Sequence, residues 1–271
     1  MRIFGICLIK NEEDIIAYSL ERQSEWADKI FVYDNGSTDN TWAIVNKLAE
    51  ENPKIVPYKS EAKPFRDGLR AEVFNEYRGL ASAGDWWCIR CDPDEFYIDD
   101  PRDFLPNVSK WYQIVLSLHY EYQLCEEDLS KLDYDSIGVT EAINSLHFYN
   151  KKVTSETRFI RHRNKLVWNS SEGFPRHKGV AAKTKIRLKH YQYRSPQQIV
   201  QRIEIRRKAR EDGHKYFGKD MVESWEELVP SYDDCVKESE DMKFTILKDP
   251  NEEKISRRIL RLLLHRIGIL P

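Results

Sequence analysis

Four short apolar runs alternate with amphipathic segments along residues 1–91, and this alternation limits the fold more than any other feature of the chain. The runs are RIFGICLI (2–9), KIFVYD (29–34), KIVPYK (54–59) and WWCIRC (86–91). The segments between them, at 11–27, 41–52 and 67–85, have apolar residues at helical spacing. Because the runs are continuous rather than alternating, they are typical of strands buried on both faces. The pattern predicts a doubly wound α/β fold with a Rossmann-like, mostly parallel central sheet flanked by helices.

Beyond residue 100 the pattern changes to strand-like segments followed by helices. WYQIVLSLHYEYQL (111–124) alternates as a strand does, and residues 156–169 are expected to form a hairpin. SPQQIVQRIEIRRKAREDG (195–213) predicts a helix that is capped by Ser195 and has Pro196 in its first turn. The second half is therefore expected to contain β-structure and to end in helices.

Composition is that of a globular protein. The chain has 271 residues, of which 41% are hydrophobic and 32% charged, and this length is enough to bury a core. No apolar run approaches the length that spans a bilayer, and the start MRIFGICLIKNEED turns acidic too early for a signal peptide. Five cysteines without framework spacing are typical of a reducing compartment. We therefore expect a cytoplasmic protein.

Charge is distributed unevenly although the net charge is only −2. Residues 1–150 carry 15 Lys or Arg and 28 Asp or Glu, a net of −13. Residues 151–218 carry 19 and 5, a net of +14. Two interpretations stay open: the regions screen each other in the fold, or they form a site where a cation meets a polyanionic ligand.

Acidic residues follow two of the predicted strands, where ligands bind in α/β sheets. In YDNGSTDNT (33–41), Asp34 can accept hydrogen bonds from a nucleoside, while Asn35-Gly36 and Ser37 also fit a plain turn and helix cap. In CDPDEF (91–96), Asp92 and Asp94 can share a hard divalent cation that neutralises a diphosphate. The alternative for this second motif is a solvated acidic loop.

The segments ICLIKNEEDII, VYDNGSTDNT and GDWWCIRCDPDEFY, in this order, resemble the family 2 glycosyltransferases, which have the GT-A fold. The resemblance covers roughly the first hundred residues. It implies a nucleotide-sugar donor, a divalent cation (Mn²⁺ or Mg²⁺) and inversion at the anomeric carbon. It also implies that residues 1–100 are the donor-binding half of a GT-A domain, residues 101–218 the acceptor-binding and metal-completing half, and residues 219–271 a helical extension.

The resemblance implies roles for individual residues. The donor nucleotide is expected to contact Ile9, Lys10, Asn11, Asp34, Asn35, Ser37 and Asp92. The metal ligands it implies are Asp92, Asp94 and His190, although a partly buried, hydrogen-bonded histidine is a plain alternative for the last. Arg194, and more weakly Lys178, are candidates for contacts to phosphate oxygens.

An inverting transfer also needs a base that removes the proton of the acceptor hydroxyl. Many relatives supply this base from a Gly-Glu-Asp motif in the second half, and no Gly-Glu-Asp is found in the sequence. Glu172 in VWNSSEGFPRHKG is our first choice, since the Gly and Pro around it indicate a site-forming loop, and His177 is the second. The motif Gln-x-x-Arg-Trp is also missing, which argues against a processive polymer synthase.

The segment 254–268 predicts a basic amphipathic helix. It can lie on an anionic membrane surface, or its apolar face can pack on its own domain or on a second copy of the chain. We predict a metal-dependent inverting glycosyltransferase that uses a saccharide or lipid-linked acceptor, in cell-surface polysaccharide or lipopolysaccharide synthesis. The alternatives are a nucleotide-sugar-binding protein without turnover and a protein that binds nucleic acid or another polyanion through residues 151–218. No nucleic-acid-binding motif is visible, which disfavours the latter.

Overall fold

The structure, a computed structural model, describes residues 1–134, 136–176, 178–211, 222–239, 255–267 and 269. The chain divides into two compact units. The first comprises residues 1–118, 155–188 and 249–271, and the second comprises residues 119–154 and 189–248. The boundaries predicted above concern the division of roles along the chain and stay a prediction.

The elements are numbered in chain order. The strands are β1 (Ile3–Ile9), β2 (Lys29–Asp34), β3 (Ile55–Ser60), β4 (Trp86–Cys88), β5 (Glu95–Tyr97), β6 (Ile114–Gln123), β7 (Phe148–Asn150), β8 (Thr154–Arg161), β9 (Ile186–Tyr193) and β10 (Cys235–Lys237). The helices are α1 (Ile16–Trp26), α2 (Thr41–Glu51), α3 (Leu69–Tyr77), α4 (Pro101–Phe104), α5 (Val139–Ser145), α6 (Pro196–Glu211) and α7 (Ile255–Arg266).

The first unit is built on a sheet whose strands lie in the order β8-β4-β1-β2-β3. β1 pairs in parallel with β2 and with β4, and β2 pairs in parallel with β3. β8 pairs with β4 in the antiparallel direction. The predicted fold class, a mixed α/β fold with a mostly parallel sheet, is confirmed by this topology.

Helices cover both faces of this sheet, which explains the continuous apolar runs. Successive side chains of a strand point to opposite faces. On β1, Ile3, Cys7 and Ile9 join the cluster that holds the buried residues of α1 and α2, whereas Phe4, Ile6 and Leu8 join the cluster of α3. The two clusters are therefore the two cores of a three-layer unit.

Two local predictions were wrong. β4 ends at Cys88 rather than at residue 91, so residues 89–94 form a loop after the strand. Within the described residues 156–176 the expected hairpin does not form, because β8 takes β4 as its partner. Residues 163–166 make a turn instead, in which the Leu166 N–H donates to the Arg163 carbonyl at 2.9 Å. Leu166 and Trp168 are buried in the α3 core, which fixes this segment by packing rather than by strand pairing.

The second unit contains the end of β6, β7, β10 and α6. β7 pairs with β6 and with β10, both in the antiparallel direction. Rings of Tyr122, Tyr149 and Tyr191 pack together in its core at centroid distances of 5.2 and 5.7 Å. Ser195 caps α6 as predicted, since its Oγ accepts a hydrogen bond from the Gln198 N–H at 3.3 Å. No helix among the described residues of the chain is long and apolar enough to cross a membrane.

Candidate functional site

The candidate site of the first unit lies at the carboxyl ends of its parallel strands. In the sheet register, Ile9 at the end of β1 pairs with Asp34 at the end of β2, and Asp34 pairs with Ser60 at the end of β3. Because parallel strands end at one edge, the motifs after β1 and β2 meet there, as the sequence indicated.

Asp34 is fully buried at this edge and is held by short polar residues. Both of its carboxylate oxygens accept a hydrogen bond from the Ser37 N–H at 3.2 Å, and the hydroxyl groups of Ser37 and Ser60 donate to them as well. Burial of a carboxylate is tolerated when such donors surround it. Asp34 therefore shapes the β2–α2 loop, in which the sequence assigned the turn to Asn35, Gly36 and Ser37.

The loops after β1 and β2 are joined by hydrogen bonds, and each contains one residue with a positive φ. Asn11 has a φ of +53° and Gly36 a φ of +72°, a region that residues other than glycine rarely adopt. The Asn11 N–H donates to Ser37 Oγ at 2.8 Å, and the Thr38 N–H donates to Asn11 Oδ1 at 2.8 Å. A Cβ on Gly36 would lie 2.7 Å from the Cβ of Ala62. At Asn11, which is not a glycine, this backbone is strained, and such strain is typical of binding sites, where the surrounding contacts fix it.

The neighbouring predicted contacts differ in exposure. Ile9 and Asn35 are buried, and Asn35 Oδ1 accepts the Lys63 N–H at 3.0 Å, whereas Lys10 is exposed. A network of ion pairs borders them, in which Lys59 and Lys63 both contact Glu61 and Glu72. Hydrogen bonds from Lys59, Lys63 and Tyr33 lower the pKa of Glu61 to about 2. The edge thus offers both donors and acceptors to a ligand.

Asp92 lies in the loop after β4, and two buried guanidinium groups compensate its charge. Its Oδ1 is 2.8 Å from Arg70 Nη2, and its Oδ2 is 3.8 Å from Arg158 Nη1. Burial alone would raise the pKa of Asp92, but Arg70 and Arg158 outweigh this effect and lower it. The carboxylate is therefore ionised near neutral pH, as a metal ligand must be.

Further ion pairs extend from Asp92 into a network that we call the Asp92 network. It consists of Asp67, Arg70, Arg90, Asp92, Glu95, Glu156 and Arg158. Arg158 is fully buried and contacts both oxygens of Glu95, at 2.5 and 2.8 Å. The network joins four carboxylates to three guanidinium groups, and the buried Asp94 lies beside it in the chain. Carboxylates are therefore in excess, which favours a cation.

The donor set fits a hard divalent cation. Among the described residues, Asp92 Oδ2 accepts no hydrogen bond, and the Asp92 side chain is about a quarter exposed. An ionised carboxylate with an available oxygen is the ligand type that Mg²⁺ and Mn²⁺ prefer. Asp92 therefore offers a ligand of this type, and the metal-binding role of Asp92 and Asp94 stays a prediction.

The loop that carries Glu172 packs against the start of α3, close to Asp67 of the Asp92 network. A Cβ on Gly68 would lie only 1.8 Å from the Ser170 carbonyl oxygen, so the two backbones touch. Asn75 also donates to the Trp168 carbonyl at 2.8 Å. Glu172 itself is half-buried and its Oε1 lies 2.6 Å from Nε of the exposed Arg176. His177, the second candidate base, lies outside the described residues.

Lys178 follows this loop and is half-buried among other cations. Its Nζ donates to Thr157 Oγ1 at 2.9 Å and lies 4.1 Å from the centroid of Phe174, and the guanidinium of Arg90 lies 5.3 Å from the same ring. Burial lowers the pKa of Lys178, and Arg261 and Arg90 lower it further. Such an arrangement of cations suits an anionic group of a ligand.

Two predicted residues belong to the second unit. His190 Nδ1 lies 2.7 Å from Glu121 Oε2, and its ring meets that of His119 edge-on at 6.1 Å. Arg194 is almost fully buried, and its Nη1 donates to the Tyr191 carbonyl at 3.4 Å. Their proposed contacts to the metal and to phosphate stay predictions.

Sequence reasoning missed Arg70 and Arg158, the two cations that hold Asp92. Arg70 is buried on α3 among Leu69, Ala71, Val73 and Phe74, and Arg158 precedes Phe159 in β8. An arginine within the apolar face of an amphipathic helix is unusual and is the signal that pointed to a buried carboxylate partner.

Comparison with known proteins agrees with the motifs at this edge. The family model "Glycosyl transferase family 2" matches residues 6–166, which is more than half of the chain. A mannosyltransferase from Pyrobaculum calidifontis (PcManGT), solved in complex with GDP-Man and Mn²⁺, is 14% identical, with a TM-score of 0.37. The match covers 81% of this chain and 66% of that one. A search of curated proteins found no match. On the family match, the chain belongs to glycosyl transferase family 2.

Proposed function

We propose that this protein transfers one sugar, with inversion and with the help of Mn²⁺ or Mg²⁺, from a nucleotide diphosphate to a saccharide or lipid-linked acceptor. The family match carries the transferase assignment. The Asp92 network carries the metal assignment, because it places an ionised carboxylate with an available oxygen at the end of β4. The proposed setting is cell-surface polysaccharide or lipopolysaccharide synthesis at the inner face of the membrane.

The loops after β1 and β2 are proposed to hold the nucleoside. Asn11 and Ser37 are hydrogen-bonded to each other across the two loops. The Ser37 N–H also donates to the buried carboxylate of Asp34. This pre-formed backbone lowers the entropy that a bound nucleoside would otherwise cost. Ile9, Lys10 and Asn35 border the same loops.

A divalent cation bound by Asp92 and Asp94 would neutralise the departing diphosphate. Neighbouring residues keep Asp92 ionised and oriented. Arg70 does so by a contact of 2.8 Å, and Asp67 in turn contacts Arg70 at 3.0 Å. Lys178 is proposed to contact a phosphate oxygen, since its Nζ is half-buried beside Arg90 and Arg261.

Glu172 is proposed as the base that takes the proton of the acceptor hydroxyl. Its loop packs on α3 at Gly68, next to Asp67. The partner Arg176 is about two thirds exposed, and an exposed ion pair of this kind contributes little free energy. Glu172 can therefore exchange Arg176 for an acceptor at small cost.

The polyanion-binding alternative is disfavoured by the contacts of the basic region. Arg158 pairs with Glu95, Arg187 pairs with Asp99, and Lys189 pairs with Glu238. Arg161 donates to the carbonyls of Tyr112 and Val108. These basic side chains neutralise or bind groups of the protein itself, so they do not form a free cationic surface.

Thermal unfolding in the presence of ligands tests the proposal. Nucleoside diphosphates and nucleotide-sugars are added with and without Mn²⁺ to the wild type, to Asp94→Ala and to a control, Asp103→Asn, at an exposed carboxylate. We expect one nucleotide to raise the unfolding temperature only with metal, in the wild type and the control but not in Asp94→Ala. Stabilisation that is equal in all three proteins, or absent for every nucleotide, contradicts the proposal.

A further inference from the structure

Helix α7 turns a stripe of large apolar side chains toward solvent. Leu260, Leu263 and Ile267 follow one another at intervals of three and four residues, and Ile259 flanks them. Each of these side chains is between 51% and 65% exposed, and Ile269 beyond the helix is 65% exposed. Contiguous exposed apolar residues on one helix face mark a surface that another body covers.

The opposite side of α7 is attached to the first unit by a polar contact. Arg261 Nη2 donates to the Gly179 carbonyl at 2.6 Å, and Arg261 and His265, one turn apart, are both partly buried. Leu262 and Leu264 are partly buried as well, so it is the stripe of Ile259, Leu260, Leu263 and Ile267 that does not pack on its own domain.

Two partners remain for the stripe, an anionic lipid surface and a second copy of the chain, and the charge of the segment favours the first. Residues 254–271 contain five Lys or Arg and no Asp or Glu. A second copy of the chain would bring two such segments together, at an electrostatic cost, whereas an anionic lipid surface attracts each of them.

From these observations we infer that α7 binds the protein to an anionic lipid surface, with Ile259, Leu260, Leu263 and Ile267 entering the boundary between head groups and acyl chains. The contact at Gly179 holds the helix on the first unit while the apolar stripe faces the lipid. The inference depends on the exposed stripe and on the charge of the segment, not on sugar transfer. The lipid-binding inference and the proposed sugar transfer can therefore fail independently.

Co-sedimentation of the full chain with vesicles tests this inference. The vesicles are made of phosphatidylcholine alone or of equal parts phosphatidylcholine and phosphatidylglycerol. The triple variant Ile259→Gln/Leu263→Gln/Ile267→Gln removes the stripe, and because Gln is a good helix former the helix is retained. Leu80→Gln, at an exposed leucine outside α7, is the matched control. Circular dichroism checks that all three proteins are folded.

We expect the wild type and Leu80→Gln to bind the phosphatidylglycerol vesicles, more weakly at high salt and on phosphatidylcholine alone. The triple variant should lose about a hundredfold or more in partition coefficient. Equal binding of the triple variant, or no binding of the wild type, overturns the inference. So does a wild-type dimer in sedimentation equilibrium that the triple variant dissociates, because the stripe then binds a second copy. If the triple variant loses vesicle binding but keeps its nucleotide affinity, the lipid contact is shown to be independent of the proposed sugar transfer.

Discussion

At the scale of single residues, the carboxylates after β4 depend on partners from distant parts of the chain. Three acidic residues within four positions would repel one another in a buried loop. Arg70 from α3 and Arg158 from β8 compensate Asp92 and Glu95, so the loop is stable even before any metal binds. The charge balance of Asp92 and Glu95 therefore does not depend on a bound cation.

Asp92→Asn tests this compensation through the pH dependence of stability. The pKa of Asp92 is lowered in the folded state. Its ionised form therefore stabilises the fold above the unfolded value of about 4, and this contribution is lost as the pH falls from there through the lowered folded pKa. We expect the variant to lose about 3 kcal/mol of unfolding free energy at neutral pH, since Arg70 and Arg158 lose a partner. The difference from the wild type should shrink in acid.

Urea denaturation at several pH values measures this difference. Asp103→Asn is the control, because Asp103 is exposed and belongs to no described ion pair. A loss that is the same at every pH, or that is equal in the control, would show that Asp92 does not act through its charge.

Gly36→Ala tests whether the loop after β2 requires a glycine at this position. Alanine at a φ of +72° is disfavoured, and its Cβ would lie 2.7 Å from the Cβ of Ala62. We expect a loss of about 2 kcal/mol in the free energy of unfolding, together with weaker nucleotide binding. Gly79→Ala is the matched control, since a Cβ there would meet nothing within 4 Å. Equal losses in the two variants would show that the loop does not require a glycine at position 36.

Glu172→Gln tests the assignment of the base. The amide keeps the shape of the side chain and its loop but cannot accept a proton, so kcat should fall about a hundredfold or more while nucleotide affinity is unchanged. Arg176→Gln removes only the exposed partner of Glu172 and should have a small effect. If Glu172→Gln keeps wild-type turnover, the base is another residue, and His177→Gln is the next variant to measure.

At the scale of elements, the strands and helices of residues 1–88 followed directly from the sequence. Their runs are apolar on both faces and their helices have clear periodicity, so local pattern and tertiary environment agree. The expected hairpin at 156–169 does not form, because the partner of a strand is decided by tertiary contacts that the local sequence does not show. β8 pairs with β4 in the antiparallel direction. Leu166 and Trp168, at the end of the following turn and after it, pack in the α3 core.

The same limit applies to the candidate site. Asp34 and its loop were predictable, because Asn35-Gly36 and Ser37 encode a turn within a few residues. Arg70 and Arg158 reach Asp92 from 22 and 66 positions away, and an arginine among apolar residues does not indicate which carboxylate is its partner. The outward direction of the apolar stripe on α7 was likewise not encoded in its amphipathic pattern, which left three occupants open.

In the second unit, β10 holds a thiol that is predicted to be the most reactive of the five. Cys235 is partly exposed, and Cys125 Sγ donates to its sulfur at 3.9 Å. This hydrogen bond lowers the pKa of Cys235, so a larger fraction of it is thiolate at neutral pH. Cys7, Cys88, Cys91 and Cys125 are buried. Iodoacetamide should therefore modify Cys235 first.

Peptide mass spectrometry over a pH series measures the order of modification. Cys125→Ala removes the donor, so the pKa of Cys235 should rise toward its ordinary value and its alkylation at neutral pH should slow. Unchanged alkylation in Cys125→Ala, or earlier modification of one of the buried thiols, contradicts the account.

At the scale of the whole molecule, residues of the basic region of the sequence form ion pairs with residues of the acidic region. Within the first unit, Arg158 and Arg187 of the basic region pair with Glu95 and Asp99 of the acidic region. Mutual screening, the first of the two interpretations, is confirmed for these residues. The basic segment 254–271 differs from them, because it contains no acidic residue and its helix turns apolar side chains outward. The molecule thus combines a charge-compensated site with one basic apolar helix.

The release of nucleoside diphosphate from a nucleotide-sugar is the most direct measurement of the central claim. UDP-, GDP- and dTDP-linked sugars are each incubated with the full chain, Mn²⁺ and a mixture of saccharide and lipid-linked acceptors, and the acceptors are then weighed by mass spectrometry. We predict that one donor loses its sugar to one acceptor, that chelation of the metal stops the reaction, and that Asp94→Ala lacks it. Donor binding without any release, or release that is unchanged in Asp94→Ala, would contradict the account.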